Sequence, residues 1–98
     1  MDELIEIIMF LKQIKASTFN WKSEFDEFLN RMTSFELQGI SEEIKRVVQR
    51  YIIHFDLYVE NPEWRAHCED YYGEEKLLEH IDNFFSELKA SGVDVDNI

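Results

Sequence analysis

The sequence predicts an all-α, four-helix bundle-like single domain with an additional short helix before the last one. Three observations carry this. Apolar residues recur at helical spacing in four separate stretches, and nowhere do they alternate as a half-buried strand requires. Three glycines and one proline supply too few turns for a β-sandwich. Ninety-eight residues make one domain, with a core that needs no staple.

Leu4, Ile7, Ile8, Leu11 and Ile14 occupy one face of a first helix over 2–15. Asp2 and Glu3 at its start and Lys12 and Lys15 at its end match the helix dipole. Met9 and Phe10 widen the apolar face, which predicts a central helix. Ser17 or Thr18 can cap a second helix carrying Phe25, Phe28, Leu29 and Met32 and ending near Thr33–Ser34. Phe19 and Trp21 at its start are expected to close one end of the core. Phe35 and Leu37 are expected to pin the next loop, which turns at Gly39.

Ser41 followed by Glu42 and Glu43 is a good N-cap with a negative first turn. Ile44, Val47, Val48, Tyr51, Ile52, Phe55 and Tyr58 carry that helix to about Val59. Lys45, Arg46, Gln49 and Arg50 form a basic patch on its other side, read as a solvated face. At Asn61-Pro62 one helix stops and a short one starts, because proline cannot continue a helix but suits a first turn. This short piece runs to about Asp70, and Gly73 breaks it. Leu77, Leu78, Ile81, Phe84, Phe85 and Leu88 line the last helix, Glu74 to Lys89, with Gly92 just past its end. Residues 91–98 read as a frayed tail.

The net charge of −11 disfavours nucleic acid and anionic membranes as direct partners and favours a basic protein. Residues 51–88 hold ten acids against Arg65 and Lys76, with Tyr58, Trp64, Tyr71 and Tyr72 set among them. Acids interleaved with rigid aromatics describe a docking surface rather than a catalytic pocket. The residues expected to make it are Glu63, Trp64, Glu69, Asp70, Tyr71, Tyr72, Glu74, Glu75 and Glu79. Glu75 and Glu79 are four apart and share a helix face. An Asp56–Arg65 ion pair is expected to bridge the Asn-Pro turn and fix the angle of the short helix. Acidity of this kind is also common simply for solubility.

Other chemistry finds little footing. No glycine loop for phosphate is present. No glutamate stands three positions before His54, His67 or His80, so the Glu-x-x-His signature of helical di-iron centres is missing, and no cofactor or metal is expected. His67 and Cys68 are neighbours, which on a helix point about 100° apart. His54 reads as a satisfied histidine at the core boundary. The acids lie on polar helix faces, where they make poor general acids or bases, so no enzyme is expected. A single cysteine and no leader-like opening point to a reducing compartment, the cytoplasm.

The stretch FDLYVENPEWRAHCEDYYGEEKLLEHIDNFFSEL resembles the C-terminal half of the colicin D immunity family, the bacterial self-protective colicin-like immunity proteins. The similar features are Phe55, Asp56 and Tyr58 at a helix end and a short acidic turn before Arg65. Tyr72, the pair Glu74–Glu75, Leu77 and an amphipathic helix ending at Leu88 complete them. The layout extends over 4–88, with a second helix started by Ser/Thr at Thr18 and carrying Phe25. Trp64 and the Tyr71–Tyr72 pair have no counterpart in that pattern, and no toxin-contacting residue is carried over.

The resemblance implies a small cytoplasmic helical protein that neutralises a tRNA-targeting nuclease toxin. Such a toxin domain is basic, and the immunity protein covers its active site with acids in place of the RNA backbone. Relatives serve in contact-dependent growth inhibition. Two other readings stand beside it: an acidic helical adaptor or DNA-mimic regulator that binds a basic protein, and a small helical enzyme. The reading frame immediately upstream separates the first two, because an immunity gene follows its toxin gene. Metal analysis of the purified protein tests the third.

Overall fold

The computed structural model describes residues 2–16, 21–59, 62–66 and 71–98. It is all-α and bundle-like. Among the described residues five helices follow in order: α1 Asp2–Ala16, α2 Phe25–Ser34, α3 Glu42–Asp56, α4 Pro62–Arg65 and α5 Glu74–Ala90. Single 3-10 turns lie at Trp21–Ser23 and Val95–Asn97. No helix among the described residues is long and apolar enough to cross a membrane.

The helical period becomes packing directly. Leu4, Ile7, Ile8, Leu11 and Ile14 of α1 are all buried, and α1 lies against α5. Helix α3 packs on both α2 and α5 through Val47, Val48, Tyr51 and Phe55. Leu77, Ile81, Phe84, Phe85 and Leu88 supply the α5 side of the core. Phe84 meets Phe55 edge-on, with ring centroids 5.8 Å apart. That arrangement sets the positive ring edge of one against the negative face of the other. Trp21 is buried in the core, edge-on to Phe25 at 5.7 Å. Phe19, Ser17 and Thr18 lie outside the described residues.

Ser41 caps α3 as expected, its hydroxyl accepting from the Ile44 N–H. Helix α2 instead begins after the 3-10 turn, and its N-cap Glu24 makes no side-chain cap bond. In the loop after α2, Leu37 is buried and lies in the left-handed region, at φ 54°. An L-residue there costs about 1–2 kcal/mol. Burial of its side chain and a 2.9 Å bond from its N–H to the Glu3 carboxylate hold it in place.

Three expectations about the scaffold need correction. Met9 does not widen the core face; it is half exposed, whereas Phe10 stacks on Phe28 at 3.9 Å. Helix α3 ends at Asp56 rather than Val59, because the chain there leaves to pair with a distant segment. The tail is not frayed: Val93 and Val95 are buried, and the Lys12 ammonium donates to the Val95 and Ile98 carbonyls. Alternation of valine with aspartate in VDVD looks polar on average, yet it lets one side enter the core. Gly92, at φ 96°, makes the turn that brings it there.

Candidate functional site: the acidic face at the start of α5

The site is built where the chain returns from α3 to α5. After Asp56 the backbone forms a parallel bridge, Tyr58 with Tyr72. The Val59 N–H donates to the Tyr72 carbonyl at 2.9 Å, and the Tyr72 N–H to the Leu57 carbonyl at 3.2 Å. This bridge closes the loop that carries α4 and brings its two ends together beside the α3–α5 seam. It is the only β pairing among the described residues.

Tyr72 is the peg of that closure, not a docking residue as the sequence suggested. It is 8% exposed, and its hydroxyl donates to the His54 carbonyl. Burial, with the Asp56 carboxylate adding to it, pushes its ionisation well above the ordinary tyrosine range. It therefore stays a neutral donor. The neighbouring Tyr71 points the other way and is 37% exposed. On α4, Trp64 is 65% exposed. Of the aromatic anchors expected from the sequence, these two are at the surface.

Arg65 does not pair with Asp56 across the turn. Its guanidinium lies over Gly73, where a Cβ would come within 1.9 Å of Nη1. Only glycine allows that approach without displacing the arginine. Arg65 thus ties α4 to the first turn of α5 rather than to the end of α3. It lines an open notch of ≈ 420 Å³ together with Tyr72, Gly73, Glu74, Glu75, Lys76 and Glu79. The structure accordingly brings Arg65, Glu74, Glu75 and Glu79 into one place, and leaves Asp56 outside it. Glu69 and Asp70 lie outside the described residues.

The acids of this face differ in how far they are committed. Glu74 faces Lys22 at 3.8 Å, a loose pair. Glu75 and Glu79 are exposed and take part in no ion pair among the described residues. Glu63 sits beside Trp64 on α4 and is exposed. Further along, Asp82 pairs with Lys15 and Glu87 with Arg50, so those two belong to the scaffold.

Sequence reasoning missed what lies behind this face. The His54 and His80 rings stack at 5.3 Å and 18°, and His80 also meets the Tyr72 ring at 4.8 Å. Nothing local in the chain signals this, because the two histidines come from different helices. Burial lowers the His80 pKa first, then the His54 and Lys76 charges; Glu79 opposes them. One turn before His54, Tyr51 is pushed up to about 12 by burial and by its hydrogen bond to Glu87, while that bond and Arg50 lower Glu87. These shifts have packing and pairing as their causes, at the helix seam rather than in a cleft.

Chemically the arrangement presents fixed negative charge and two exposed aromatic side chains. No three His, Cys, Asp or Glu side chains among the described residues are grouped to hold a metal ion. The chain matches no family model, no curated protein and no solved structure.

Proposed function

We propose that this chain is a binding module that occupies a basic protein through the face formed by α4 and the start of α5. The partner that suits it best is the basic domain of a tRNA-targeting nuclease toxin, with the chain acting as its cytoplasmic immunity protein. One observation carries the reading: Glu75 and Glu79 are exposed, line one notch and take part in no ion pair among the described residues, and Trp64 of α4 and Tyr71 are exposed as well. Carboxylates left without internal partners keep their charge for another molecule, and Trp and Tyr are the side chains that most often anchor protein interfaces. The resemblance of residues 55–88 to colicin D immunity proteins points to the same class of partner.

Protection of cells that express the toxin domain encoded directly upstream is the test. The wild-type chain protects, and the double reversal Glu75→Lys/Glu79→Lys does not, while its circular dichroism stays helical. Protection that survives the reversal would overturn the choice of face. Association that ignores ionic strength would overturn electrostatic recognition.

A further inference from the structure

The outer face of α3 is exposed along its length. Glu42, Arg46, Gln49, Ile53 and Asp56 follow at spacings of four and three in turn, so they share one stripe of the helix. All five are exposed, on the side away from Val47, Val48, Tyr51 and Phe55, which enter the core. Ile53 is 68% exposed, more than Met9, Trp64 or Tyr71. A lone isoleucine at a surface needs no explanation. The charges on either side of this one do. Arg46 and Asp56 flank it on the same stripe, and neither takes part in an ion pair among the described residues. The neighbouring cations are engaged: Lys45 faces Glu42 at 3.5 Å, and Arg50 turns to Glu87 of α5.

This stripe is complementary to itself. Two copies of α3 can lie antiparallel, with a two-fold axis at the level of Tyr51. Gln49 then opposes Ile53 of the second copy, and Arg46 opposes its Asp56. The axis repeats both contacts, so two unpaired arginines meet two unpaired aspartates. Ile53 is covered, with the half-buried Ile52 beside the axis. A parallel pair would instead set Arg46 against Arg46 and Asp56 against Asp56. Sliding the antiparallel pair by a heptad either way would set Ile53 against Glu42 or against Asp56. Charge and burial therefore select one direction and one register.

Charge also limits which surface two copies can share. At −11 each they repel over most approaches. Helix α3 is the exception among the long helices: Glu42, Glu43 and Asp56 balance Lys45, Arg46 and Arg50, so it is neutral. Helix α5, by contrast, sets Glu74, Glu75, Glu79, Asp82 and Glu87 against Lys76 and Lys89.

We infer that α3 is a self-association face: two copies of the chain pair through it, antiparallel, with Arg46 of each against Asp56 of the other. The pairing uses neither Glu75 nor Glu79 and does not rest on the function proposed above. One helix against its copy covers less than the roughly 1,600 Å² of a standard interface, so the dimer is weak and depends on concentration.

Sedimentation equilibrium of the isolated chain tests it. The average mass should rise from that of one chain toward that of two between about 10 μM and about 1 mM. Ile53→Arg should weaken association about tenfold or more. Arg46→Asp and Asp56→Arg should each do the same, because like charges then oppose each other on both sides of the axis. Mixed in equal amounts, these two variants should pair with one another, since acid faces base again at both contacts. All three changes are at exposed positions, and circular dichroism checks that each chain stays helical. A wild-type chain that stays monomeric at about 1 mM overturns the inference, even where Ile53→Arg abolishes toxin protection and so gives the face to the toxin. A dimer indifferent to Ile53→Arg overturns it too, as does a mixture of the charge variants no heavier than either alone. The toxin-protection test is unaffected by these outcomes, because it reads Glu75 and Glu79.

Discussion

The two halves of α5 contain acids in similar number but use them differently. In the second half, Asp82 reaches Lys15 of α1 and Glu87 reaches Arg50 of α3, while Lys89 meets Asp96 of the tail at 3.1 Å. The open hollow there, ≈ 590 Å³, is lined by Lys12, Lys15 and Lys89, each of them bonded within the chain. In the first half, Glu75 and Glu79 face solvent beside a notch whose cation, Arg65, leans on Gly73. Charge that is internally paired belongs to the scaffold. Charge that finds no pair among the described residues is available to a partner. Net charge alone does not make that distinction; the pairing does.

The comparison can be broken first at the core beneath both halves. Phe84→Ala removes a fully buried ring at the centre of the α3–α5 seam and should cost about 3–5 kcal/mol in denaturant unfolding. Leu11→Ala should cost about 2–5 kcal/mol. A near-neutral result at both would mean that the seam is not the core. Next comes the free half: the Glu75/Glu79 reversal should leave the unfolding midpoint within about 0.5 kcal/mol of wild type, as surface changes usually do. Association with the toxin domain should meanwhile slow sharply and lose its dependence on salt.

The paired half sharpens the contrast from the other side. Val95→Ala, at the anchor of the tail, should cost about 1–2 kcal/mol and leave partner binding alone. Asp82→Asn, which breaks an exposed pair with Lys15, should cost no more than about 1 kcal/mol, again without effect on binding. The smallest effect belongs to Gly73→Ala. The added methyl meets the far end of a flexible arginine, so stability should change little, while Arg65 should leave the notch. A crystal structure of that variant with Arg65 unmoved would show that the glycine is not what seats it.

The helices were legible in the sequence because burial repeats every three to four residues, and the five buried positions of α1 fall on the positions that period marks. The Ser41 cap was legible because its chemistry is local. What escaped the reading depends on distant neighbours. Tyr72 looks like its twin Tyr71, and only the bridge to Leu57 and Val59 turns one inward. Arg65 has acids on both sides in sequence, and the room above Gly73 decides where it goes.

Glu3 and Glu6 of α1 are unsuited as controls for the acidic face. Glu3 holds the Leu37 N–H and Glu6 pairs with Arg31, so reversing them would disturb the fold. Thr33→Lys, at an exposed position of α2, is the better control and should leave protection intact.

The bonds from Lys12 to the Val95 and Ile98 carbonyls have a consequence in time. They join residues 83 and 86 positions apart, and α1 meets its main partner, α5, over a similar stretch of chain. During synthesis, therefore, the first helix made waits for the last, its apolar face uncovered until α5 has left the ribosome. Contacts this remote in sequence also slow the search for the native arrangement. Partial chains lacking α5 cannot complete the core, and the acidic face, which begins at the first turn of α5, comes into being in the same late step.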